Sequence, residues 1–171
     1  MTLLHANFIE GATALIEVDL AYNELTSLPA SFLASAISLT KLDLSHNNIA
    51  EVSVAFSDGA GSLLFLDLSH NDIAELQDSE SLFAGVTSLT KLDLSSNDLV
   101  HTPPATLLSN AISLSYLDLS GNDITGISES FLGGAASLLY LDLSSNDLIK
   151  LPVAFLDGAT SLTELDLESN D

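Results

Sequence analysis

The chain has no cysteine and no arginine, only four prolines, and three cationic side chains, Lys41, Lys91 and Lys150, against 24 acidic ones. Without cysteine there are neither disulfides nor thiolate metal sites, so the redox compartment leaves no trace. A formal net charge of −21 argues against nucleic acid and anionic membranes as partners, because phosphates are held by many cationic contacts. No apolar run approaches the roughly 20 residues of a membrane-spanning helix. The segment from Met1 to Ala14 lacks the basic start of a secretory signal. The N-glycosylation signal Asn-x-Ser/Thr is missing, whereas the many serines leave O-linked sugar open. Acidity on this scale suits a soluble protein in an ionic medium that screens self-repulsion.

What the chain has instead is a repeat. Leu-x-x-Leu-Asp-Leu-Ser-x-Asn-Asp, or a close variant, begins at Leu15, Leu39, Leu63, Leu89, Leu114, Leu138 and Leu162, in steps of 24, 24, 26, 25, 24 and 24 residues. A period so short, held across residues 1–171, predicts one solenoid domain of seven turns, each packing on its neighbours. Residues 1–14 read as the return half of a preceding turn. Nothing in the pattern leaves room for an inserted catalytic segment, and no nucleophile and base stand out from the repeat. An enzyme is not expected.

Each column of the repeat has a physical reading. Val18-Asp19-Leu20 alternates apolar, polar and apolar, the period of a half-buried strand. Seven such strands stacked in parallel at roughly 4.8 Å would make a ribbon about 29 Å across. Asn23, Asn47, Asn71, Asn97, Asn122, Asn146 and Asn170 follow the strands, where the chain must bend. An amide both donates and accepts, so an asparagine ladder is expected to satisfy the bend. Phe8, Phe32, Phe56, Phe83, Phe131 and Phe155, with Leu107 between, predict an aromatic spine on the return half. The small column Gly11, Ser35, Gly59, Gly85, Asn110, Gly134 and Gly158 suggests left-handed residues ending short helical or 3₁₀ turns on the convex side.

This pattern resembles the leucine-rich repeat family over essentially the whole chain. The 24-residue length and the elements Leu28-Pro29 to Phe32 and Leu151-Pro152 to Phe155 are similar to its "typical" subclass. Plant receptor repeats share the Leu-Asp-Leu-Ser wording, but their Gly-x-Ile-Pro element is missing. The resemblance implies an α/β solenoid arc, with short parallel strands lining the concave face. It also implies a non-enzymatic protein-binding module and an extracellular or cell-surface setting.

Candidate binding residues come from the variable strand column, Glu17, Lys41, Phe65, Lys91, Tyr116, Tyr140 and Glu164. A regular core does not require rings on an exposed ribbon, so Phe65, Lys91, Tyr116 and Tyr140 are candidate anchors for a protein or glycan. Lateral stacking of the rings along the ladder is the alternative reading, and the sequence leaves both open. No cofactor is expected. Calcium is the one ion that the strand aspartates Asp67, Asp93, Asp118 and Asp142 would suit, as carboxylates about 5 Å apart, but a solvated acidic face suits them better. His46 and His70 share a position on adjacent turns and read as stacked surface histidines rather than zinc ligands.

The two ends suggest a further role. Neither carries the cap that usually closes a leucine-rich repeat core, so Met1, Leu4 and Phe8 at one end, and Leu162, Leu165, Leu167 and Asn170 at the other, are expected to form an end-to-end interface. Written head to tail, Asn170-Asp171-Met1-Thr2-Leu3-Leu4 keeps the phase of Asn146-Asp147-Leu148-Ile149-Lys150-Leu151. A contact of that kind does not close on itself and gives a filament. The sequence therefore favours a scaffold, a segment of a longer solenoid or a head-to-tail structural or adhesive filament whose partner is itself. The alternative is a recognition module with a ligand on its concave face.

Overall fold

The computed structural model describes residues 1–171 other than 6, 54, 55, 77–82, 84, 102 and 105. Seven three-residue strands recur along the chain: β1 (Glu17–Asp19), β2 (Lys41–Asp43), β3 (Phe65–Asp67), β4 (Lys91–Asp93), β5 (Tyr116–Asp118), β6 (Tyr140–Asp142) and β7 (Glu164–Asp166). They form one parallel sheet in sequence order. The register is that of the repeat: Leu42 pairs with Leu66, Leu66 with Leu92, Leu92 with Leu117 and Leu117 with Leu141. Hydrogen bonding continues one residue beyond each strand, as where Leu44 N–H donates to the Asp67 carbonyl at 2.9 Å and Leu119 N–H to that of Asp142 at 2.9 Å.

The strands stop where they do because of the asparagine column. Asn47 Nδ2 donates to the carbonyls of Leu20 (3.0 Å), Leu44 (3.0 Å) and Ser45 (3.2 Å), while its Oδ1 accepts from Leu25 N–H at 3.0 Å. Asn71, Asn97, Asn122 and Asn146 repeat this pattern and are buried with it. Each amide thus ties its own bend to the preceding turn. The residue just before each asparagine lies in the left-handed region: Tyr22, His46, His70, Ser96, Ser145 and Ser169 all have φ between 53° and 59°, and Gly121 has 63°. The amide network offsets the cost of that conformation, which non-glycine residues rarely adopt.

The leucine columns fill the interior. Leu42, Leu44, Leu66, Leu68, Leu117, Leu119, Leu141 and Leu143 are wholly inaccessible to water. Of the expected aromatic spine, Phe32 stacks on Phe56 at 6.5 Å and Phe8 on Phe32 at 6.4 Å, while Phe83, Phe131 and Phe155 are buried and Phe8, on the first turn, is about half exposed. On the convex side, successive turns close by bonds from N–H of residue i+3 to the carbonyl of residue i, as Phe131 to Ser128 and Leu138 to Ala135. These are single 3₁₀-type turns, and no helix occurs among the described residues.

The small-residue column needs a correction. Gly11, Gly59 and Gly158 are left-handed, but Gly85 and Gly134 are not. A Cβ on Gly134 would lie 2.2 Å from the Leu108 carbonyl oxygen, and one on Gly85 would lie 2.1 Å from that of Ser57. These two are small because backbones of adjacent turns meet there, not because φ demands it.

Two substitutions test this account by denaturant unfolding. Asn122→Leu leaves the Leu99 N–H and three carbonyls without their partner, and is expected to cost about 3 kcal/mol. Gly134→Ala is expected to cost more than about 1 kcal/mol, whereas Gly61→Ala, whose Cβ would meet its nearest neighbour only at 3.9 Å, should stay within about 0.5 kcal/mol.

Candidate functional site

Because the side-chain period of a strand is two, the first and third residues of every strand project from the same face of the ribbon. Parallel in-register pairing then lines up each column across the turns. The first column runs Glu17, Lys41, Phe65, Lys91, Tyr116, Tyr140, Glu164, and the third runs Asp19, Asp43, Asp67, Asp93, Asp118, Asp142, Asp166.

The first column is a continuous stack. Lys41 Nζ meets Glu17 Oε1 at 2.6 Å and lies 5.9 Å from the centre of the Phe65 ring. Lys91 Nζ lies between two rings, 5.1 Å from Phe65 and 4.4 Å from Tyr116, with Asp93 Oδ2 at 3.6 Å. Tyr116 and Tyr140 stack at 4.6 Å with planes 7° apart. The four candidate anchors are therefore brought together. Lateral stacking along the ladder is present too: Tyr116 lies directly on Tyr140, and Lys91 bridges Phe65 to Tyr116.

The aspartate column is committed to the fold at one oxygen per residue. Asp67 Oδ1 accepts from Ser69 N–H at 3.0 Å and Ser69 Oγ at 2.6 Å, and Asp43, Asp93 and Asp118 repeat the pair with their serines. On the tyrosine-bearing strands the second oxygen is engaged as well. Tyr116 Oη donates to Asp118 Oδ2 at 3.1 Å, and Tyr140 Oη to Asp142 Oδ2 at 2.8 Å. Among the described residues no group of three or more acidic or histidine side chains is placed to hold a metal ion. The calcium candidates Asp67, Asp93, Asp118 and Asp142 thus act as turn acceptors. His46 and His70 stack on each other at 4.1 Å, and Tyr22 adds a third ring at 4.2 Å from His46. That third member was legible, since Tyr22 stands 24 residues before His46.

These contacts shift proton affinities. The hydrogen bond and charge of Glu17 hold the Lys41 ammonium above its ordinary value. The hydrogen bond to Asp142, then desolvation, then the charges of Asp142, Asp118 and Asp166 push the Tyr140 hydroxyl up to about 12. Desolvation followed by the charge of Asp118 raises Tyr116 as well.

The fold has known counterparts. A model described as leucine rich repeat matches residues 13–73, 37–99 and 112–171. The chain belongs to the leucine-rich repeat family. Among solved structures, a TLR13–ssRNA13 complex superposes with a TM-score of 0.87 at 30% identity, over 96% of this chain and 23% of that one. A leucine-rich repeat protein of Leptospira interrogans gives 0.84 at 28% identity, over 99% of this chain and 41% of that one. The Toll–Spätzle complex of Drosophila gives 0.52 at 21% identity, over 99% and 29%, and shares the fold alone. No curated protein matches the sequence. The leucine-rich repeat chain described here spans less than half the length of each of these neighbours.

Ultraviolet titration of the phenols checks the strand stack. Tyr140 is expected to ionise near pH 12, and Asp142→Asn should lower that value by removing the carboxylate. The folded value lies above that of a free phenol, near 10. The stabilisation linked to this proton is thus fully present below about pH 10 and lost as pH rises toward 12.

Proposed function

We propose that this leucine-rich repeat module recognises a protein partner through the concave stack of Phe65, Lys91, Tyr116 and Tyr140, without catalysis. The single observation that carries the reading is the preorganised stripe, in which aromatic and cationic side chains from consecutive turns are already fixed against one another. Binding then orders few side chains, which removes a large part of the usual entropic cost. Aromatic residues are also the commonest energetic anchors of interfaces. A protein fits better than a glycan: sugars stack on open ring faces, and of the three rings Phe65 and Tyr116 have neighbours over both faces, which leaves one face of Tyr140 alone. The TLR13–ssRNA13 structure is a complex, which supports ligand binding as a use of this fold. The excess of acid here disfavours RNA as the partner. An extracellular or cell-surface setting belongs to the same proposal.

A second reading, continuation of the solenoid into another copy, is favoured by hydrogen bonding at the terminal turns. The Met1 amino group donates to Asn23 Oδ1 at 3.0 Å, as Leu25 N–H does to Asn47. Asn170 donates to the Leu143 and Leu167 carbonyls and accepts from Leu148 N–H, as an interior asparagine would. Leu162, Leu165 and Leu167 are only partly buried, and Phe8 is about half exposed. Met1 and Phe8 of one copy would then cover the leucines beside Asn170 of the next, whereas Leu4, expected from the sequence to join them, is already buried within its own chain.

Selection of displayed peptides and small domains on the intact protein tests the first reading. Binders should lose about 30-fold in affinity, about 2 kcal/mol, on Tyr116→Ala or Tyr140→Ala in variants that keep the far-ultraviolet spectrum. Binders indifferent to both changes would move the site elsewhere. Sedimentation decides the second reading: mass should grow with concentration and fall back in Leu165→Glu, and a monomer at all concentrations would exclude it.

A further inference from the structure

The stack has an order that ends abruptly. Phe65 has an ammonium on each side, and Tyr116 has Lys91 on one side and Tyr140 on the other. Tyr140 has Tyr116 against one face. Over its other face, among the described residues, lies neither a ring nor a cation. The in-register neighbour there is Glu164, an exposed carboxylate, with Asp166 one strand position further along the same ribbon face.

A carboxylate is the wrong group for that place. The face of an aromatic ring carries the negative lobe of its quadrupole, so it attracts cations and repels anions. Lys91 shows within this molecule what the place accepts: an ammonium over a tyrosine face, with a strand aspartate beside it at 3.6 Å. At Tyr140 the ring is present and so are the acids, and the cation is missing. The charge of Asp166 is felt at the Tyr140 hydroxyl, which places ring and carboxylate in one electrostatic neighbourhood. The chain has little of its own to supply. It contains no arginine, and two of its three lysines are engaged at Glu17 and Asp93.

Resting on the concave-face reading above, we propose that the open face of Tyr140, with Glu164 and Asp166, receives an arginine side chain from a basic segment of the protein partner. Arginine suits the place better than lysine because its guanidinium is planar. It stacks flat on the ring while its N–H groups reach two carboxylates at once. Charge complementarity with a protein of net charge −21 points the same way, since it steers a basic segment to the ribbon.

The test uses the intact protein and Nα-acetyl-arginine methylamide as the probe, followed by NMR. Saturable shifts are expected at the Tyr140 ring and at the amides of Tyr140, Glu164 and Asp166, with the corresponding norleucine compound giving none. Glu164→Gln should weaken binding several-fold. Glu164→Lys should reduce it by more than about fivefold, because it lays an internal ammonium on the ring as Lys91 does on Tyr116. That variant should melt no lower than the parent, so loss of binding cannot be ascribed to unfolding. Equal binding by Glu164→Lys and parent would overturn the site. So would shifts spread evenly along all seven strand aspartates, or none at millimolar probe. These outcomes leave the concave-face reading standing, because that reading fails only if selected binders ignore Tyr116 and Tyr140.

Discussion

The asparagine amide at each bend is the interaction on which the remainder of this molecule depends. A solenoid turn of about two dozen residues must reverse direction sharply after a three-residue strand, and the reversal buries backbone groups away from water. One amide, donating to carbonyls on two successive turns and accepting an N–H from the preceding one, satisfies them. Because the same side chain serves both turns, it sets the spacing and phase of the stack as well as the bend. The left-handed residue before it, and the leucines that follow into the core, are positioned by that phase.

In-register stacking in turn creates the strand face. When every strand is three residues long and pairs without slippage, any variation in one column becomes a linear array of side chains about one strand spacing apart. Ordinary residues then acquire collective properties. Lys91 alone would be a solvated lysine, but between Phe65 and Tyr116 it is clamped by two rings and an aspartate. Tyr116 and Tyr140 stack on each other, and each is bonded to its own strand aspartate. The acidic column is held in the same way, each carboxylate accepting the backbone N–H two residues on, from Ala21 at one end to Glu168 at the other.

Most of the fold was legible in the sequence. The leucine spacing, the asparagine column and the phenylalanine spine predicted strands, bends and core, because in a repeat protein each position sees nearly the same surroundings in every turn. The candidate anchors were legible as well, as departures from the repeat at a surface position. Less visible were the reasons behind individual columns. Gly134 looked like a left-handed residue, yet its conformation is ordinary and the constraint is the Leu108 carbonyl on the neighbouring turn. The left-handed column itself, occupied by Tyr22, two histidines and serines, carries no glycine signal except Gly121 and was not foreseen.

By itself, then, the sequence determined the period, the register and the identity of each column, since these follow from local alternation and from residues that can serve a bend. Only the tertiary structure decided which faces of the side chains in a column are already covered and which remain open. Whether Tyr116 and Tyr140 would stack on each other or stand apart depends on their distance across turns and on the rotamers that packing leaves them. Neither quantity is written in the order of residues. The open face of Tyr140 exists because β7 places a glutamate where β4 places a lysine, and that difference acquires meaning only once the strands lie side by side.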